Sequence, residues 1–184
     1  PRVLAREYLA INPLGTIPFM VDGETKMTES SGICYYLGTK YGPTPLVVGL
    51  DDPAYGAFLN WMYFSDATLT FPQTLVLRYS QLEPEERRNP QVAGDYAKWF
   101  LGRLRAVEAA TANGQNLCAG RFTAADIVNG YALRLAGNIG LAKDFGPNVA
   151  AYWARLQERE GYQRAVAAER KAGVEQNVTP RVRA

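Results

Sequence analysis

Two short stretches carry residues able to hold a ligand. Glu29-Ser30 lies where an extended run gives way to a helix start. Such an end presents free N–H groups and partial positive charge, so it favours a carboxylate. The plainer role for the pair is to cap the helix and offset its dipole. Ile17-Pro18 opens a short apolar run. Pro18 cannot donate to a ladder, so it belongs at a strand start or a sheet edge. Other chemistry is excluded by what the chain lacks. It has no histidine and two cysteines, Cys34 and Cys118. No Ser-His-Asp or Cys-His nucleophile system can be built, nor a His-ligated metal site. The cysteines form no CxxC pair, which removes a thiolate cluster or dithiol redox centre. Cys34 falls inside the helix after Ser30 and Cys118 precedes a capping box, so both read as structural.

The elements that position these residues are legible in turn. Asn12-Pro13-Leu14-Gly15 is a turn cluster, and Val3 to Leu9 before it fits a helix end. The run Ile17 to Val21, the pair Asp22-Gly23 and the run Glu24 to Thr28 predict a hairpin with a type I′ turn. Ser30 or Ser31 can cap a helix to about Tyr41, stopped by Gly42-Pro43. Residues 43–52 read as a linker. From Asp52-Pro53 onward the pattern is helical. Pro72 should kink or end the first of these helices. Others are expected from about Gln91 to Ala112, from the capping box Thr123-Ala-Ala-Asp126, from Gly146-Pro147 to about Glu160, and from Tyr162 to Lys171.

Composition sets the class. The chain has 184 residues, 47% apolar and 21% charged, with a net charge of +2. That supports an ordinary core and gives no footprint for nucleic acid. No apolar run approaches the roughly 20 residues of a membrane span. Two unpaired cysteines fit a cytoplasmic protein. The fold class expected is α/β followed by all-α, with residues 1–42, the linker 43–52 and a helical domain over 53–184. One hairpin and one helix make an incomplete sheet domain. The missing strands, and several tens of residues, are expected upstream of Pro1.

With these residues the chain resembles the cytosolic glutathione transferase family, of bacterial type. The match runs from Asn12-Pro13-Leu14-Gly15-Thr16-Ile17-Pro18 through Thr28-Glu29-Ser30-Ser31-Gly32-Ile33 and Tyr36-Leu37. It continues at Arg121-Phe122-Thr123-Ala124-Ala125-Asp126-Ile127 and from Asn148 to Arg164. The resemblance implies the second half of a thioredoxin-like domain before the helical one. It implies a cis Ile17–Pro18 bond that turns the Ile17 backbone outward, where the cysteinyl part of glutathione pairs as an added strand. It implies that Ser30 binds the γ-glutamyl carboxylate and Glu29 the γ-glutamyl ammonium. It places Phe64, Ala67 and Phe71 in the hydrophobic-substrate pocket, though such a stripe also suits plain core. Asp66, or Asn60, is implied to reach across a homodimer.

The activity implied is detoxifying conjugation of the glutathione thiolate to a hydrophobic electrophile. Glutathione is then co-substrate, with no cofactor and no metal, and neither nucleic acid nor membrane is a partner. The group that stabilises the thiolate, a Tyr, Ser or Cys, is expected upstream of Pro1, and Tyr8 is not that group. Two alternatives stand beside this one. The scaffold could serve a glutathione-dependent disulfide or peroxide reductase, or a non-catalytic binding or dimerisation module.

Overall fold

A computed structural model describes residues 6–113 and 115–177. A short helix α1 (Arg6–Ile11) is followed by β1 (Met20–Asp22) and β2 (Thr25–Met27), then α2 (Ser30–Lys40). Of the helix expected over Val3 to Leu9, residues 3–5 lie outside the described residues, as does Pro1. The strands pair antiparallel, Met20 opposite Met27 and Asp22 opposite Thr25. This register makes Gly23-Glu24 the two-residue loop. Gly23 has φ +59°, and Glu24 is not among the positive-φ residues. The turn is therefore of the II′ kind, with glycine first, rather than the expected I′. The cap of α2 also differs from expectation. Glu29 holds the extended backbone of the capping position, so Ser30 is already helical.

The turn end of the hairpin is fastened to the far end of α2. Asp22 accepts hydrogen bonds from Lys40 Nζ at 2.7 Å, Tyr41 OH at 2.7 Å and Tyr36 OH at 2.9 Å. These donors, Lys40 first, hold its carboxyl down to about 2. Ion pairing with Asp22 and a bond to Tyr36 raise the Lys40 ammonium in turn.

Beyond the linker the helical part begins with α3 (Tyr55–Tyr63). It runs without a break into a π-helical segment, Phe64–Thr70, then α4 (Phe71–Leu77) and a second π stretch, Arg78–Leu82. Pro72 therefore neither ends the run nor breaks it. It sits in the first turn of α4, where a missing N–H is tolerated. The preceding helix has already widened, with the Phe71 N–H reaching back to the Asp66 carbonyl. α5 (Pro90–Ala110), α6 (Ala124–Asn138), α7 (Pro147–Glu158) and α8 (Glu160–Glu175) follow. Asn89 caps α5 through the Val92 N–H, and α8 is longer at both ends than the spacing predicts.

One core joins the π segment to α5, α6 and α7 through Leu69, Phe100, Leu104, Leu133, Val149 and Tyr152. A second, around Val48, Phe58, Met62 and Val128, takes in Cys34 and Tyr35 from α2. The linker is fixed where the halves meet. The Ala124 N–H donates to the Leu46 carbonyl at 2.8 Å, and Arg121 donates to the Pro45 carbonyl at 3.1 Å. Gly38 permits the approach, because a Cβ there would collide with the Val47 side chain.

Candidate functional site

The ladder register decides which residues share an end. Met20 faces Met27 at the open end of the hairpin. Ile17-Pro18 enters that end and Glu29-Ser30 leaves it, so both stretches lie on the same side of the paired strands. The Ile17–Pro18 peptide is cis, as is Gly42–Pro43. Ile17 is 62% exposed and stands outside the paired residues, which begin at Met20. A backbone edge is thus presented beside a helix start.

That edge is held by a residue whose role the sequence reading missed. Asn12 is 2% exposed. Its Oδ1 accepts from the Leu14 N–H at 3.1 Å, and its Nδ2 donates to the Thr16 carbonyl at 2.8 Å. Tyr8 OH donates to the same carbonyl. Both side chains therefore fix the loop that ends at Ile17. The available signal was Asn12-Pro13 in a turn cluster, which shows a turn but not the burial of the amide.

At the helix start, Ile33 N–H to Glu29 O, 2.8 Å, is the first intrahelical bond. The N–H groups of Ser30, Ser31 and Gly32 precede it and have no helical acceptor. The Glu29 side chain makes no cap bond; its carboxylate accepts from Thr28 Oγ1 at 3.2 Å. Glu29 and Ser30 are exposed. Ser31 is buried, and its hydroxyl has no partner among the described residues. The arrangement offers an exposed helix end with free N–H groups and an acid at its mouth.

A cavity of about 380 Å³ lies between the π segment and α5. Phe64, Ala67 and Thr68 line one side and Trp99, Gly102, Arg103 and Ala106 the other. Phe71 is not in the lining. Its half-exposed ring packs edge-on to Trp99 and Tyr96, which stack on each other at 5.4 Å. Trp99 and Arg103 escaped the sequence reading because only the pairing of α5 with the preceding helix brings them here. Asp66 is half-buried and Asn60 exposed.

Neither cysteine is poised to react. Burial, and then the Asp66 carboxylate, push the Cys34 thiol up. Burial raises Cys118 as well. Among the described residues no three His, Cys, Asp or Glu side chains could hold a metal ion, and no helix is long and apolar enough to cross a membrane. A second groove, between α6 and α8, holds none of the residues named for ligand binding.

Known proteins resemble this chain over most of its length. Residues 1–45 match the family model described as glutathione S-transferase, N-terminal domain. Glutathione S-transferase hmp2 of Hypomyces subiculosus is 32% identical over 173 residues, covering 88% of this chain and 79% of that protein. The chain belongs to the glutathione S-transferase family. Glutathione S-transferase GstA of Escherichia coli O157:H7 is 28% identical over 164 residues, 89% of this chain and 78% of its own length. In three dimensions the transferase superposes on Ure2p5 from Phanerochaete chrysosporium, cocrystallized with 1-(S-glutathionyl)-2,4-dinitrobenzene. The TM-score is 0.79 at 23% identity, over 91% of this chain and 80% of that one. Glutathione S-transferase III in its apo form gives a TM-score of 0.71 at 27% identity, over 88% and 76%. The fold is a thioredoxin-like N-terminal part followed by an all-helical part. The chemistry of the family is transfer of glutathione, its co-substrate.

Proposed function

We propose that this transferase conjugates the glutathione thiolate to a hydrophobic electrophile. The observation that carries the reading is the open end of the hairpin. The Ile17 backbone edge enters that end and the start of α2, with its free N–H groups, leaves it, which supports binding of a short extended peptide with a carboxylate at one end. The cysteinyl unit pairs with the backbone of Ile17 ahead of cis Pro18. Ser30, through its hydroxyl and N–H, takes the γ-glutamyl carboxylate, and Glu29 the γ-glutamyl ammonium. Phe64 and Ala67 form a wall for the electrophile, with Phe71 at its rim and Trp99 opposite. Asp66 reaches toward the glutathione of a second subunit in a cytoplasmic homodimer that serves detoxification. In this reading residues 1–42 are the peptide-binding domain, 43–52 the linker and 53–184 the helical domain. No described side chain is assigned to activate the thiol. The raised Cys34 and Cys118 thiols argue against a disulfide reductase working through either.

The test is Ser30→Ala in the intact protein, with glutathione affinity read by calorimetry. A hydrogen bond to a charged group is worth roughly 1.5–3 kcal/mol, so affinity should fall by about one to two orders of magnitude. Unchanged affinity removes Ser30 from the site. A wild-type protein that binds no glutathione, or turns over no electrophile in a panel, overturns the reading.

A further inference from the structure

Three side chains without a role so far share the seam between α6 and the continuous run from α3 through the π segment to α4. Ser65, Gln73 and Asn129 are each at most 1% exposed. Ser65 Oγ donates to the Val128 carbonyl at 2.7 Å. Gln73 Nε2 donates to the Ala132 carbonyl at 3.0 Å and to the Leu69 carbonyl at 3.1 Å. Asn129 Nδ2 donates to the carbonyls of Trp61 and Ala125, both at 2.8 Å. Buried polar side chains are seldom better for stability than apolar ones of the same shape. In Gln73 and Asn129 the amide oxygen is buried with no partner among the described residues, and of the two only Gln73 bonds a carbonyl inside the π segment. The Gln73 amide is stationed here as a donor, at a desolvation cost.

The backbone shows what the donor is for. The Phe71 N–H is committed to the Asp66 carbonyl, five residues back. Pro72 has no N–H. Pro72 thus leaves a carbonyl of the π turn, four or five residues back, without its usual donor, and the Gln73 amide, bonded to the Leu69 carbonyl within the turn, ties that turn to the Ala132 carbonyl of α6. A wide turn of this kind holds one more residue than an α turn. Reversion to α geometry would turn the side chains on its N-terminal side by about 100° around the axis relative to those after it. Phe64 would then leave the cavity wall, and Ala67 and Thr68, within the turn itself, would be re-aimed.

We propose that Gln73 is a positioning residue: its amide, shared between the Leu69 and Ala132 carbonyls, holds the π-helical turn that presents Phe64, Ala67 and Thr68 to the electrophile. The proposal rests on the reading of that cavity as the electrophile pocket.

Gln73→Met keeps length and volume but removes the donor. In the intact enzyme it should raise KM for a bulky aromatic electrophile about tenfold and change the preference between a large and a small one. KM for glutathione should stay within about twofold. Amide hydrogen exchange over residues 64–74 should accelerate. Asn129→Ala cuts a rung outside the π turn, so it should lower Tm while leaving electrophile KM unchanged. Ser65→Ala, which cuts the other rung on the same segment, should move electrophile KM in the same direction if Gln73→Met does not fold. Lowered Tm with unchanged electrophile KM in both Gln73→Met and Ser65→Ala overturns the proposal. So does an equal KM shift in Asn129→Ala. If the wild-type enzyme turns over no electrophile, the pocket reading fails by itself. Exchange then still decides on the clamp, and unaltered exchange in Gln73→Met refutes it.

Discussion

Asp126→Ala should unfold this protein far more readily than the loss of a helix cap would. A cap is worth about 1 kcal/mol. Asp126 is fully buried and does more than cap. Its Oδ2 accepts from the Thr123 N–H at 2.8 Å and from the Thr123 hydroxyl at 3.3 Å. Its Oδ1 accepts from the Leu117 N–H at 3.0 Å and from Tyr152 OH at 2.8 Å. Removing the carboxylate strands two buried N–H groups and a buried phenol, each costing about 1–3 kcal/mol when unpaired. The losses share one network and do not add fully. An overall cost of about 3–5 kcal/mol follows, the scale for breaking a buried charged network. For a chain of this size each kcal/mol lowers Tm by about 2–4 °C, so Tm should fall by roughly 10 °C. The assay is thermal and urea unfolding followed by circular dichroism, with Asp126→Ala, Tyr152→Phe and the double variant forming a cycle. A coupling of about 1 kcal/mol or more is expected between the two sites. Glutathione affinity of the folded fraction should be unaltered, because Asp126 lies away from the open end of the hairpin. A loss near 1 kcal/mol with no coupling would refute the reasoning and return Asp126 to an ordinary cap. A parallel loss of glutathione affinity would refute the separation of stability from binding.

Two further outcomes can be checked. The Asp22 carboxyl is held near 2, below its usual 3.8, so on acidification the unfolded chain takes up this proton first. The stabilisation is therefore complete above about pH 4 and is lost between about pH 4 and pH 2. Acid titration of stability should show this slope in the wild type and lack it in Asp22→Asn; equal slopes would remove Asp22 from the acid response. Asn12→Ala deletes the bonds that hold Thr16 and should cost about 2 kcal/mol of stability. It should also weaken glutathione binding several-fold through loss of order at Ile17, and calorimetry showing full affinity would make Asn12 a purely structural residue.

What could be read from the sequence was what depends on near neighbours. The capping box Thr123–Asp126, the hairpin around Gly23 and the helix start after Glu29 each rest on residues within a few positions of one another, and each is present. The finer assignments failed where register intervened. The Asp22-Gly23 pair reads with glycine second in its turn, because nothing local says which residue pairs with Thr25. The π segment is invisible because Pro72 signals a break to any local rule, while the Gln73 amide and the Ala132 carbonyl meet only through tertiary packing. Trp99 and Arg103 belong to the cavity for the same reason, since their place depends on how α5 lies along the preceding helix. Asn12 looked like a turn residue and is one, but its burial comes from the loop folding over it.

The contact between the two halves of the molecule has a consequence for how freely the chain can vary. The linker is joined to α6 by the Ala124 N–H on the Leu46 carbonyl and by Arg121 on the Pro45 carbonyl. Both acceptors are main-chain oxygens, which every amino acid supplies. The joint therefore places almost no demand on the identity of residues 45 and 46, so linker sequences can drift or be redesigned while the halves keep their seating. The demand falls instead on the donors. Ala124 accepts no proline, and a shorter side chain at position 121 gives up the bond to Pro45, so a library randomised over these four positions should show its strongest restriction, the exclusion of proline, at position 124 rather than in the linker.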